Sequence, residues 1–312
     1  MKKAAVFSSK GIGDGLLFLV ICENLKKNGY EVILYHNILP KLSQWFGSLQ
    51  IQPYPNREDL FEKLESFDLI VVNSDSQPII VELKNYLKNC FTKKFLILHL
   101  STCKGKNLPG DYSFNRKMTV IDNLTNACKT ALHLQNVSKN IKIYPQPNLV
   151  HRKYLRRIII HATSREIAKN WPAKRFIKIA KFLKSKNLEV VFVMSEEEHI
   201  IWNSQNKGDD IVIKTFGNLN ELASYFYESG YFLGNDSGMG HLASLLKIPT
   251  LTIFNIRRKL AFWRPDFSKG ISIAPWPLLL NIKGLRLRDK YWQLLIPTWR
   301  VRRHFKKLYK ED

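Results

Sequence analysis

The stretch GNDSGMGHLA, Gly234–Ala243, puts an aspartate, a serine, three glycines and a histidine into ten residues at the head of an apolar run. Glycine at this spacing is poor in helix and in strand, and suits a backbone that must come close to a ligand. The preceding YFLG reads as a strand and the following HLASLL as a helix, so Asn235, Asp236, Ser237 and Gly238 fall at the turn. Backbone N–H groups at such a helix start, with the helix dipole behind them, favour an anion. Gly238 and Gly240 would let a diphosphate approach. Asp236 either orients the loop or holds a substrate group. His241, one turn on, either donates to a phosphate or leaving group or is a structural histidine.

Two further clusters carry chemistry. In HATSREIAKNWPAKRF, Thr163, Ser164, Arg165 and Lys169 follow a strand and precede a helix. Hydroxyls and cations in that position make a phosphate site; the alternative is a solvated polar loop. In SKGIGDG, Asp14 is the only acid of the first strand-to-helix loop. It is either a general base for a substrate hydroxyl or a cap for a helix beginning at Gly15 or Leu16. A dinucleotide fingerprint fits badly. Gly11, Gly13 and Gly15 give G-x-G-x-G, and the second strand, EVILYH, ends in His36 and Asn37 rather than in an acid for a ribose. There is no D-x-D triplet, no phosphate-binding G-x-x-x-x-G-K-[ST] loop and no G-x-S-x-G elbow. Cations and helix N-termini would therefore have to hold a diphosphate.

The elements that must position these residues are α/β. Short apolar runs (KAAVFSS, EVILYH, DLIVVNSD, KKFLILHL) alternate with helical patterns up to about residue 140. IKIYPQPNLVHRKYLRR then reads as a linker. The alternation restarts with RIIIHATS, EVVFVMS, DIVIKTFG, GYFLGNDSG and PTLTIF. The expectation is two Rossmann-like doubly wound parallel-sheet domains, 1–150 and 151–280, with ligands beyond the carboxyl ends of the strands in a central cleft. A basic, aromatic segment, 281–312, follows and is expected to pack back on the first domain.

The 312 residues carry a formal net charge of +23, with 45% hydrophobic residues, which excludes a disordered chain. Such a charge suits nucleic acid, anionic lipid or a phosphorylated substrate, or is simply a solvated basic surface. Residues 281–312 hold ten Lys or Arg against three acids, interleaved with Tyr291, Trp292, Trp299, Phe305 and Tyr309. That mixture fits a membrane interface, nucleic acid or a terminal helix packed by its aromatic stripe. Cys22, Cys90, Cys103 and Cys128 form no CxxC pair and read as free thiols of a reducing compartment. LLFLVIC is far too short to span a bilayer. The protein is expected in the cytoplasm, at most attached to a membrane surface.

Taken together, GNDSGMGHLASLLKIPTLTIF, HATSREIAKNWP and KGIGDG resemble the ADP-heptose:lipopolysaccharide heptosyltransferases, glycosyltransferase family 9, in the family's order and over about residues 1–265. The resemblance implies a GT-B fold and an inverting, metal-independent transfer of heptose from ADP-heptose to the lipopolysaccharide inner core, with no cofactor. It implies Asp14 as the base. Thr163, Ser164 and Lys169, with Arg165 and His241 nearby and the backbone of Ser237, Gly238 and Met239, would bind the donor phosphates. Asp236 would hold the donor sugar, and Glu197 or Glu198 of SEEEH the nucleoside. An anionic acceptor on the inner face of a bacterial inner membrane fits the basic charge, and no nucleic acid is expected. The sequence departs from the family at Gly15, at Val20 and at NIRRKLAFWRP after TLTIF, where Arg257, Arg258 and Lys259 add positive charge. Two rivals stay open: a GT-B transferase or epimerase for another nucleotide sugar, and a basic nucleic-acid-binding protein on a degenerate Rossmann scaffold.

Overall fold

The computed structural model describes residues 1–47, 49–100, 109–205, 211–277, 281–282, 285–286 and 290–310; Cys103 lies outside them. They form two compact units, Met1–Tyr144 and Pro145–Asp312.

In the first unit, β1 (Lys2–Phe7), β2 (Tyr30–Tyr35), β3 (Gln50–Gln52), β4 (Leu69–Asn73), β5 (Lys94–His99) and β6 (Asp111–Ser113) build one parallel sheet in the order β3-β2-β1-β4-β5-β6. Helices α1 (Ile12–Lys27), α2 (Arg57–Glu65), α3 (Pro78–Asn89) and α4 (Val120–Thr130) make the crossovers. Helix α1 is buried continuously from Gly15 to Leu25, because α4 and the strap around Ser138 cover it. Asn24 pins that strap, donating to the Ser138 carbonyl at 2.8 Å and accepting from its N–H at 2.8 Å. The helix stops where Gly29 turns to φ +85°, a conformation glycine adopts without strain.

The second unit repeats the plan. Strands β7 (Tyr154–His161), β8 (Glu189–Val193), β9 (Val212–Lys214), β10 (Ser229–Asn235), β11 (Thr250–Ile253) and β12 (Gly270–Ile273) pair in parallel in the order β12-β11-β10-β7-β8-β9. Around them lie α5 (Ala173–Lys184), α6 (Glu196–Gln205), α7 (Leu219–Tyr227), α8 (Gly238–Leu245), α9 (Arg257–Trp263) and α10 (Thr298–Lys310). In both sheets the chain winds outward one way from the first strand and then returns to its other side at the fourth. That reversal leaves a crevice between the first and fourth strands, where doubly wound sheets bind ligands.

The described part of the C-terminal segment is built into the second unit. Trp292, Ile296, Val301, Phe305 and Leu308 belong to the second unit's core, with Phe176, Ile179 and Leu183 of α5. Val301, Phe305 and Leu308 recur at helical spacing and give α10 one apolar stripe, which covers α5, β11 and β12. Among the described residues, no helix is long and apolar enough to cross a membrane.

Candidate active site

Asp14 lies on α1, immediately after the central strand β1. The helix begins at Ile12 with Gly11 as its N-cap, so Asp14 sits inside the first turn and is not the cap. A Cβ on Gly11 would stand 2.7 Å from Asp14 Oδ2, which shows the carboxylate folded back over Gly11. The half-buried acid thus lies at the positive end of a buried helix.

The loop that carries it is fixed by groups from two neighbouring strands. His36, fully buried at the end of β2, accepts the N–H groups of Ile38 and Leu39 on Nδ1 at 3.0 and 2.9 Å. Its proton is therefore on Nε2, which donates to the Gly11 carbonyl at 3.1 Å. The same carbonyl accepts the Gly15 N–H, the first bond of α1. Burial lowers the His36 pKa, and its backbone hydrogen bonds at Gly11 and Ser9 only partly offset this. Asn73 at the end of β4 donates to Ser9 Oγ at 2.6 Å, and the Tyr54 hydroxyl donates to the Ser8 carbonyl. Burial raises the Tyr54 pKa, and the nearby carboxylates of Asp75 and Asp14 push the same way.

In the second unit, the other two clusters leave the carboxyl ends of adjacent central strands, since Gly234 of β10 pairs with His161 of β7. Asn235 ties them together. Its Oδ1 accepts the Trp171 N–H at 3.0 Å, and its Nδ2 donates to the Ala162 carbonyl at 2.7 Å. The Trp171 indole, 1% exposed, anchors the far end of the loop by donating to the Ile296 carbonyl at 3.0 Å. Asn235 was visible in the sequence only as a turn residue; its anchoring role depends on the β7–β10 pairing.

The hydroxyls divide into two kinds. Thr163 Oγ1 and Ser237 Oγ are buried without a hydrogen-bond partner. Ser237 is the N-cap of α8, yet it does not cap the helix with its side chain. Ser164 Oγ is engaged inside its own loop, 2.6 Å from Asn170 Oδ1 and 3.0 Å from the Glu166 carbonyl. Buried polar groups are almost always satisfied, so two orphan hydroxyls at neighbouring strand ends mark a place where a ligand's oxygens would complete the structure. The backbone of Gly238 and Met239 opens α8 beside them. A Cβ on Gly240 would meet Pro265 at 3.4 Å, Thr252 at 3.5 Å and Phe232 at 3.7 Å, all ordinary contacts, so neighbouring packing does not require glycine there.

Charge is concentrated at the same place. Lys169 Nζ pairs with Glu166 Oε1 at 2.7 Å, and this hydrogen bond lowers the Glu166 pKa. Burial raises the Asp236 pKa to about 6; Lys169 and Lys259 pull it down and Glu166 pushes it up. Lys259, from the basic departure in α9, is therefore electrostatically part of this site. Arg165 is exposed. His241 is 5% exposed, and burial lowers its pKa to about 4. Burial thus favours the neutral imidazole, which can still donate one N–H.

Glu197 and Glu198 start α6, after the neighbouring strand β8. Glu198 forms a reciprocal capping box: Oε2 accepts the Ser195 N–H at 2.9 Å while Ser195 Oγ accepts the Glu198 N–H at 3.2 Å. The same Oε2 lies 3.8 Å from His161 Nε2. Glu197 is exposed, and its bond with Ser195 lowers its pKa.

Residues 116–266, from just before α4 to just after α9, match the model of glycosyltransferase family 9 (heptosyltransferase). The match spans 151 of the 312 residues and takes in the loops after β7 and β10. The whole fold agrees with this match. A family 9 glycosyltransferase from Veillonella parvula DSM 2008 is similar at TM-score 0.68 and 15% identity, covering 100% of this chain and 98% of that one. The ADP-heptose lipopolysaccharide heptosyltransferase II of E. coli gives 0.68 and 16%, covering 100% and 99%. The E. coli heptosyltransferase WaaC, solved with ADP, gives 0.67 and 11%, covering 98% and 99%. No curated protein is detectably similar in sequence. The fold is GT-B, a pair of Rossmann-like domains.

Proposed function

We propose that this protein is a glycosyltransferase that moves heptose from ADP-heptose to the inner core of lipopolysaccharide, with inversion and without a metal, at the cytoplasmic face of a bacterial inner membrane. The donor-side cluster carries the reading: unsatisfied hydroxyls of Thr163 and Ser237, the start of α8, and Lys169 at the reversal point of the second sheet. This is what a sugar diphosphate's oxygens require.

In the proposed reaction the acceptor hydroxyl gives its proton to Asp14 as its oxygen attacks the anomeric carbon. The bond from that carbon to the diphosphate oxygen breaks on the opposite face. ADP leaves with the electron pair, and its growing negative charge is met by Lys169 and the N–H groups that open α8. Preorganised donors of this kind are commonly worth roughly a hundred- to a thousandfold in rate, and the base roughly a hundred- to ten-thousandfold. Asp236 holds a sugar hydroxyl. Ser164 shapes the loop, and Arg165 and Lys259 add positive charge. Glu197 is the freer of the two acids for the nucleoside, since Glu198 caps its own helix. ADP-heptose as the donor is supported by the names of the similar E. coli structures, an ADP-heptose heptosyltransferase II and WaaC with ADP-2-deoxy-2-fluoro heptose.

A transfer assay with ADP-heptose and a heptose-deficient lipopolysaccharide acceptor tests this. Asp14→Asn is expected to lower kcat at least roughly a hundredfold while leaving ADP affinity unchanged. Full activity in Asp14→Asn would overturn the base assignment. Transfer from a UDP- or GDP-sugar alone would overturn the donor.

A further inference from the structure

Helices α5 and α10 pack side by side through apolar residues, with Phe176, Ile179, Leu183, Val301, Phe305 and Leu308 turned into the core. Their other faces are uniformly cationic. Five lysines or arginines lie on α5 and six on α10, and neither helix carries an aspartate or glutamate. Like charges held on one surface repel and cost stability, so this arrangement is a natural counterpart for a polyanion.

The surface is also aromatic. Trp299, Arg303, Lys307 and Lys310 run along one side of α10 at helical spacing, and Trp299 is 51% exposed. Furrows flank this ridge. One of about 650 Å³ is floored by Phe182 of α5, whose ring lies 4.5 Å from the Arg302 guanidinium and 5.6 Å from Lys306 Nζ. On the other side the Trp299 ring lies 5.5 Å from that of Trp276. Just before the helix, Leu294 is 63% exposed.

We propose that the joint α5–α10 face is the surface by which the protein lies on an anionic lipid bilayer. Charge complementarity with anionic headgroups supplies the attraction. Exposed indole beside lysine and arginine is the side-chain mixture of a membrane–water interface. An exposed leucine together with exposed indole and lysine or arginine is the composition of a surface that enters the headgroup–acyl boundary, which favours lipid over an oligonucleotide. The inference specifies the membrane contact of the proposed function and uses no residue of the candidate active site.

Flotation with vesicles of phosphatidylethanolamine and phosphatidylglycerol in equal parts, against phosphatidylcholine alone, tests it. The intact protein is expected to float with the anionic vesicles and to be released by salt. Reversing Arg303, Lys307 and Lys310 to Glu is expected to weaken binding by at least roughly a hundredfold. In the unaltered chain, brominated lipid is expected to quench fluorescence that is missing in Trp299→Phe. That readout does not depend on the triple variant folding. Equal binding to phosphatidylcholine, or no effect of charge reversal or of bromination, overturns the proposal. Tighter binding of a single-stranded oligonucleotide than of anionic vesicles, lost in the same variant, also overturns it and assigns the face to nucleic acid. Vesicle binding without ADP binding would reject the donor reading and leave this one standing.

Discussion

The imidazole of His36 fills the space where a side chain on residue 15 would stand: a Cβ on Gly15 would lie 2.8 Å from His36 Cδ2. The ring cannot retreat freely, because both nitrogens are bonded to backbone. Gly15→Ala is therefore expected to displace the Asp14 turn and to cost about 1–3 kcal/mol by overpacking. Removing the ring in Gly15→Ala/His36→Ala is expected to recover part of kcat lost by Gly15→Ala alone. A double-mutant cycle in kcat and urea stability checks this; strict additivity would separate His36 from the loop.

Asn235 serves two buried backbone groups at once. Asn235→Ala leaves the Trp171 N–H and the Ala162 carbonyl without this partner, which is expected to cost about 2–4 kcal/mol. Loosening the Lys169 loop should also raise the donor KM more than it lowers kcat. Urea unfolding and steady-state kinetics measure both; a loss well below 1 kcal/mol would contradict the anchoring role.

Asp236 ties stability to pH. Its pKa is about 6 in the folded protein, above the ordinary carboxyl value of 3.8. The folded state therefore holds the extra proton between those values, and stability falls as pH rises through that window. Asp236→Asn removes this dependence. Its stability relative to the parent is expected to improve by about 2–3 kcal/mol between pH 4 and pH 7. Urea denaturation at both pH values measures it; a constant difference would contradict the raised pKa.

Much of this arrangement was legible in the sequence. The alternation of apolar runs and helical patterns gave two parallel-sheet units, because buried parallel strands are short, continuous and β-branched, as in RIIIH and EVILY. Thr163, Lys169 and Ser237 could be singled out because each stands between a strand and the next α-helix, and Asp14 because it is the acid nearest the end of the first strand. What escaped depends on pairing between distant segments. His36 reaches Gly11 because β1 and β2 align Phe7 with Tyr35, and no local pattern announces that register. The helix start at Ile12 was hidden by the surrounding glycines, which read as breakers. The aromatic run with Trp299, Phe305 and Tyr309 left a packed terminal helix as one of several readings, and the apolar stripe of Val301, Phe305 and Leu308, with the core it covers, came only from the fold.

Glu166 is ion-paired with Lys169, the lysine proposed to meet the donor phosphates. Glu166→Gln frees Lys169 and removes a negative charge close to Asp236, so ADP is expected to bind more tightly. The pair is partly exposed, with side chains 19% and 62% accessible. Its release is thus worth only a gain of roughly two- to fivefold. Isothermal titration reads this directly, and weaker binding would mean that Glu166 itself supports the donor.

The most direct test of the central claim is calorimetric titration of the protein with ADP, UDP and GDP in EDTA, repeated on Lys169→Ala. The account predicts ADP binding without metal, preferred over UDP and GDP, and weakened by at least roughly tenfold in Lys169→Ala through loss of a charge-assisted phosphate contact. Binding of none of the three nucleotides, or ADP binding unchanged in Lys169→Ala, would contradict it.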